Sequence, residues 1–159
     1  MKDLSNNTAQ DLWTRLDKAT AGMLQTGPEQ FDPMAPFADA EEGMVWFITA
    51  MGTQAHQAAI EKRDSRFLVC DQHARLHAHL EGSLHEVFRP AKLDALWSPV
   101  TEAWFEQGRA DPAVRLLCFR PTRAEVWLTE GGASFLYQIA RARHSSRTPD
   151  IGHHEVLTF

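Results

Sequence analysis

The sequence predicts an α+β protein that is mainly β: an antiparallel sheet or barrel with helices packed around it. Three observations predict this class. Short apolar runs bounded by turn residues recur along the 159 residues, as expected of strands joined by tight turns. Helical patterns separate only some of these runs, so the regular strand–helix alternation of a parallel sheet is missing. No glycine-rich loop opens a helix after a strand, which makes a dinucleotide-fold or P-loop reading poor.

Each element has its own signal. Asn7 or Thr8 can cap a first helix, whose apolar stripe is Leu12, Trp13, Leu16 and Ala19. Gly22 ends it, Met23 to Thr26 is a short strand, and Gly27-Pro28 is a turn. Pro33 to Ala38 reads as a second strand with its proline at the start or on an edge. Glu41, Glu42 and Gly43 turn the chain into MVWFIT, 44–49, apolar enough to be buried on both faces. Thr53 to Arg63 is helical, and Arg66 to Asp71 is the next strand. A turn near Gln72 leads into a long strand from Arg75 to Phe88. Pro90 suits the first turn of a helix reaching Phe105, with Leu93, Leu96, Trp97, Val100 and Trp104 on one side. Val114 to Thr129 is a strand in which Pro121 marks a bend or bulge. Gly131-Gly132 precedes a helix through about Arg143, and the tail ends in the strand-like EVLTF. This length suits one domain, 1–159, with an N-terminal helix within 1–21 and a C-terminal helix and tail over 132–159.

Composition narrows the function. A formal net charge of -5 gives no basic surface for nucleic acid. No apolar run approaches a membrane span, and the first residues lack the apolar core of a secretory signal, so a cytoplasmic location is expected. Cys70 and Cys118 each sit in an apolar strand-like run and read as two buried thiols.

Two places could carry chemistry. On the long strand, Leu76, Ala78, Leu80 and Leu84 share one face; His73, His77, His79, Glu81, Ser83 and His85 share the other. His77 and His79, at i and i+2, could share a metal; a polar outer or interfacial strand face is the plainer reading, because no third ligand is fixed. The second place is Thr49 to Gln54, which joins a buried strand to a helix start. Thr49 and Thr53 offer hydroxyls and Gly52 permits close backbone approach, so the turn could cradle an anion, or Thr53 could be a simple helix cap.

One family carries the same pieces in the same order. They are DLW at 11–13, GMLQT at 22–26, PMA at 33–35, VWFIT at 45–49 and HQAAIEKRD at 56–64. HLEGSLHEV at 79–87, LDALWSPVTEAWF at 93–105 and LLCFRPTRAEVW at 116–127 follow. The block from Leu93 to Trp127 is the most specific, with Trp97 and Trp104 in a helical run before a strand ending at Trp127. The sequence resembles the general-stress-protein branch of the pyridoxamine 5'-phosphate oxidase-like flavoproteins. The resemblance implies an FMN-binding split β-barrel and a homodimer with the flavin at its interface. It implies that Pro33 and Met34 run beside the flavin, and that Phe47, Thr49, Ala50, Thr53 and Gln57 approach the ribityl chain and phosphate. It adds Trp104 to the cofactor-binding set.

Three positions depart from the family's pattern. Asp32 stands where Arg is usual, Gln57 falls near the usual Lys, and Ala50 falls where Ser is common. A hydrogen bond to a charged group contributes about 1.5–3 kcal/mol. Losing two such contacts weakens binding by about 3–6 kcal/mol, or roughly two to four decades. The expected function is FMN binding with a weakened phosphate grip and an unassigned flavin-dependent redox role. The alternatives are a degenerate split-barrel dimer that has lost flavin and binds another ligand or partner, and metal binding through His77 and His79.

Overall fold

The computed structural model describes residues 4–129, 137, 139–143, 148 and 152–159. Helix α1 (Leu4–Leu16) is followed by strands β1 (Gly22–Gln25), β2 (Phe31–Met34), β3 (Phe37–Asp39) and β4 (Met44–Ala50). Helix α2 (Gln54–Ile60) leads to β5 (Asp64–Asp71) and β6 (Leu76–Glu86). Helices α3 (Pro90–Leu96) and α4 (Pro99–Glu102) and a 3₁₀ turn (Gly108–Ala110) precede β7 (Val114–Thr129) and β8 (Gly152–Thr158). Of the helix expected after Gly132 and through about Arg143, Tyr137 and residues 139–143 are described and are helical, and the rest falls outside the described residues.

The strands form one sheet in the order β2-β1-β5-β6-β7-β4-β3, with β8 paired to β7. Every pairing is antiparallel. β7 is long enough to hold two partners on one edge: Val114 to Phe119 lies along β4, and Arg123 to Thr129 along β8. β2 and β3 stand at opposite ends of that order, yet only Ala35 and Pro36 separate them in sequence. So short a link forces the sheet to curl until its two ends are neighbours. They do not pair with one another, which leaves a split half-barrel with helices around it.

Alternation along the strands fills the inside. β5 alternates strictly between exposed and buried positions, and Phe67 meets Phe47 edge to face with centroids 5.0 Å apart. Leu12, Trp13, Leu16 and Ala19 are all buried, so α1 lays the expected stripe on this core. Ala55, Ala58 and Ala59 of α2 join the same core; alanine lets a helix sit close over the barrel end. β4 is buried on both faces, as its sequence implied. Val45 and Phe47 face the main core, while Trp46 packs outside with Leu93, Leu116 and Cys118 under α3. Arg89 and Lys92 each stand 5.2 Å from the Trp46 ring centre. Both are tied to carboxylates, Arg89 to Glu42 and Lys92 to Asp39 and Glu42.

Several sequence expectations need correction. α1 already begins at Leu4, so Asn7 and Thr8 lie within the helix, and Gly22 opens β1 rather than closing α1. The strand expected over Pro33 to Ala38 is two, because Ala35, ahead of a proline, turns the chain from one sheet end to the other. The helix expected over Pro90 to Phe105 is also two. Pro99 holds Ser98 extended (φ -137, ψ 161), and Ser98 then caps α4 by accepting from the Thr101 amide. The rotation breaks the stripe: Leu93 stays buried, while Val100 and Trp104 are 74% and 82% exposed. Cys118 is buried as expected, but Cys70 lies on the outer face of β5 and is exposed. Pro121 does mark a bulge: the β6–β7 register shifts between Glu81 and Gly82, beside it.

Candidate functional site

The turn from β4 to α2 is built on a positive φ. Gly52 sits at φ +84 with open space where a side chain would be. It reverses the chain so that Thr53 becomes the helix cap (φ -70, ψ 162). The Thr53 hydroxyl donates to the Ala50 carbonyl at 3.0 Å and accepts from the His56 amide at 3.2 Å. Thr49 Oγ1 lies 2.9 Å from Thr53 Oγ1. A hydroxyl has one proton. Thr53 has given its own to Ala50, so Thr49 must donate to Thr53, and neither hydroxyl keeps a proton for a ligand.

His56 continues the network inward. It is 7% exposed, and its Nδ1 accepts the Gly52 amide at 3.0 Å. That leaves Nε2 to carry the ring proton. Nε2 has no aligned hydrogen-bond acceptor, but it stands 3.3 Å from Glu86 Oε2 at the end of β6. The other Glu86 oxygen lies 3.2 Å from Arg115 Nε. Arg115 is the Cα partner of Thr49 across the β4–β7 ladder, which is why it reaches this turn. Its Nη1 donates to the Pro112 and Val114 carbonyls at 2.8 and 2.9 Å, and its Nη2 to the Met51 sulfur at 3.0 Å.

Glu86 and Arg115 also line an open cleft of about 740 Å³. Its floor includes Val87, Leu93, Val114 and Leu116, and its rim includes Arg89, Arg109 and Asp111. The cleft connects the network to solvent.

The residues singled out in the sequence fall in three places. Thr49, Ala50 and Thr53 meet at the turn, with Phe47 fully buried one pleat earlier on β4. Gln57 is exposed on α2 and donates to Glu61 at 2.9 Å. That bond, and then Arg63, hold the Glu61 carboxyl below its usual range. Asp32, Pro33 and Met34 lie on β2. Pro33 is exposed, Met34 packs against the main core, and Asp32 accepts from the Thr26 hydroxyl at 2.8 Å and from Gln30. Trp104 stands on the outer surface beyond α4. Glu86 and Arg115 gave no sequence signal, because only strand pairing brings them here. His56 did give one, since it stands three residues after the capping Thr53.

These residues do not fit a phosphate dianion as they stand. Both hydroxyl protons are committed, Gln57 is tied to Glu61, Asp32 is anionic, and Arg115 already faces Glu86. His79 lies 3.6 Å from Glu81, and no three His, Cys, Asp or Glu side chains converge as a metal site among the described residues.

Known proteins place the chain. The sequence profile of the family described as pyridoxamine 5'-phosphate oxidase like matches residues 7–150. A protein of Jannaschia sp. CCS1 designated general stress protein 26 superposes with a TM-score of 0.90 at 39% identity, over 97% of this chain and 99% of that one. The general stress FMN/FAD binding protein of Xanthomonas citri gives a TM-score of 0.69 at 29% identity, over 79% of this chain and 92% of that one. A general stress family protein of Xanthomonas campestris pv. campestris gives 0.69 at 28%, over 83% and 93%. None of the curated proteins matches the chain. With its split half-barrel and a profile match over nearly all of its length, this chain belongs to the general-stress, pyridoxamine 5'-phosphate oxidase-like family of FMN-binding split barrels.

Proposed function

We propose that the protein is a homodimeric, flavin-binding general stress protein that grips the FMN phosphate weakly. The observation that carries the reading is the Gly52 turn, which brings Thr49 and Thr53 together at two positions the family resemblance assigns to the ligand, while the commitment of both hydroxyl protons there is what weakens the grip. The likeness to an FMN/FAD binding protein of Xanthomonas citri supports the ligand class. Exposed apolar side chains support the dimer: Phe88, Val100 and Trp104 are 91%, 74% and 82% exposed, and a stable interface of roughly 1,000 Å² or more needs such groups to bury. The reading assigns no reaction.

Titration of the purified protein with FMN, followed by flavin fluorescence, tests the reading. Saturable binding in the micromolar range or weaker supports it. Absence of any saturable flavin binding by a folded dimer would favour the second reading, a split-barrel dimer that has given up flavin for another ligand. Glu86, seated on Arg115, is the observation on that side.

A further inference from the structure

The His56–Glu86–Arg115 cluster has the parts of an anion site with the anion already supplied by the chain. One guanidinium and one imidazole N–H converge on a single carboxylate, at 3.2 and 3.3 Å. His56 is more than nine-tenths buried, and its Nε2 is held toward that carboxylate by the Gly52 amide at the back of the ring. Yet Nε2 makes no aligned hydrogen bond with Glu86, so the donor is aimed at the site without being satisfied in it. The Glu86 side chain is 36% exposed and lines the 740 Å³ cleft, so a solvent-borne anion has a way in. The cluster joins the Thr49–Thr53 turn through the His56 amide and through the Thr49–Arg115 strand pair.

We propose that Glu86 is an intramolecular occupant of this anion site and sets its ligand preference. Its carboxylate puts a negative charge against the two groups that a phosphate monoester would use, so the wild-type site discriminates against FMN relative to riboflavin, the same ring system without the phosphate. Replacing Glu86 by its neutral isostere removes the competing charge from the Arg115 Nε–H and the His56 Nε2–H. Only the flavin comparison rests on the proposed flavin reading. The response to inorganic phosphate tests the anion site by itself.

The experiment compares wild type, Glu86→Gln and Glu86→Asp, with folding checked by circular dichroism. Each is titrated with FMN and with riboflavin, and each is melted with inorganic phosphate against chloride at matched ionic strength. Glu86→Gln is expected to bind FMN about tenfold tighter or more, the order set by removing one charge about 4 Å from a dianion, with riboflavin affinity within about twofold of wild type. Phosphate is expected to raise the melting temperature of Glu86→Gln alone, while Glu86→Asp, which keeps the charge, behaves like wild type. If neither flavin binds but phosphate still stabilises only Glu86→Gln, the flavin reading fails and the anion site stands. Two results overturn the inference: a folded Glu86→Gln that gains neither FMN affinity nor phosphate stabilisation, or a gain that is equal for riboflavin.

Discussion

Gly82 is the most demanding position in the sheet, and Gly82→Ala tests the bulge directly. A Cβ built there would lie 2.1 Å from the Arg120 carbonyl oxygen, 2.7 Å from its carbon and 2.8 Å from Pro121 Cα. All three are backbone atoms of β7, so no side-chain rotation relieves the clash. The strands must separate by about 1 Å at the point where their register already shifts. Forcing a methyl into a packed site costs about 1–3 kcal/mol, occasionally more, and a rigid backbone partner puts this case at the upper end, about 3 kcal/mol. The control is Gly52→Ala, where the φ of +84 is unfavourable but nothing lies within 4 Å; conformational strain alone costs about 1–2 kcal/mol. Urea denaturation at one protein concentration measures both. With a slope of about 1–3 kcal/mol per molar, Gly82→Ala should lower the midpoint by about 1 M or more, and by more than Gly52→Ala does. A Gly82→Ala midpoint within error of wild type would refute the close approach of β6 and β7.

Trp104→Ala should leave the protomer's own stability within about 0.5 kcal/mol, because the ring is 82% exposed. It should weaken the dimer by about tenfold or more if that ring is an interface anchor; unchanged sedimentation across a dilution series would remove Trp104 from the interface. The double variant Asp32→Arg with Gln57→Lys should tighten FMN at low salt and lose that gain as salt rises. No gain would mean that β2 does not face the phosphate. The hydrogen bond and charge of Lys92 hold the Asp39 carboxyl below its usual range. A depressed carboxyl contributes stability that is complete above the unfolded value, near 3.8, and is lost as pH falls through the folded one. Wild type should therefore lose more stability than Asp39→Asn between pH 5 and about 2, and equal slopes in urea midpoints would contradict the Lys92 pairing.

The barrel was legible where local pattern and burial agree. The alternation in β5 and β6, the doubly buried β4 and the stripe of α1 could be read directly, because each depends only on which neighbours along the chain are apolar. Prolines were harder. The i, i+3, i+4 spacing across Leu93 to Trp104 is helical, yet a single ring at Pro99 outweighs it by excluding Ser98 from the helix. Ala35-Pro36 likewise divides an extended run between the two ends of the sheet. The site was half legible. Thr49 and Thr53 are four residues apart on one turn and were visible. Arg115 reaches them only because β7 pairs with β4, and Glu86 only because β6 pairs with the other edge of β7. No spacing within the chain encodes those contacts. A negative charge at the site was anticipated from Asp32, whereas the carboxylate found on the nearby cation is Glu86.

Native mass spectrometry of the protein in excess FMN tests the central claim most directly, since it reports assembly and ligand together. The account predicts a species of twice the 18.0 kDa chain mass, carrying flavin that is shed readily as FMN is diluted. A species at the single-chain mass that never takes up flavin would contradict it.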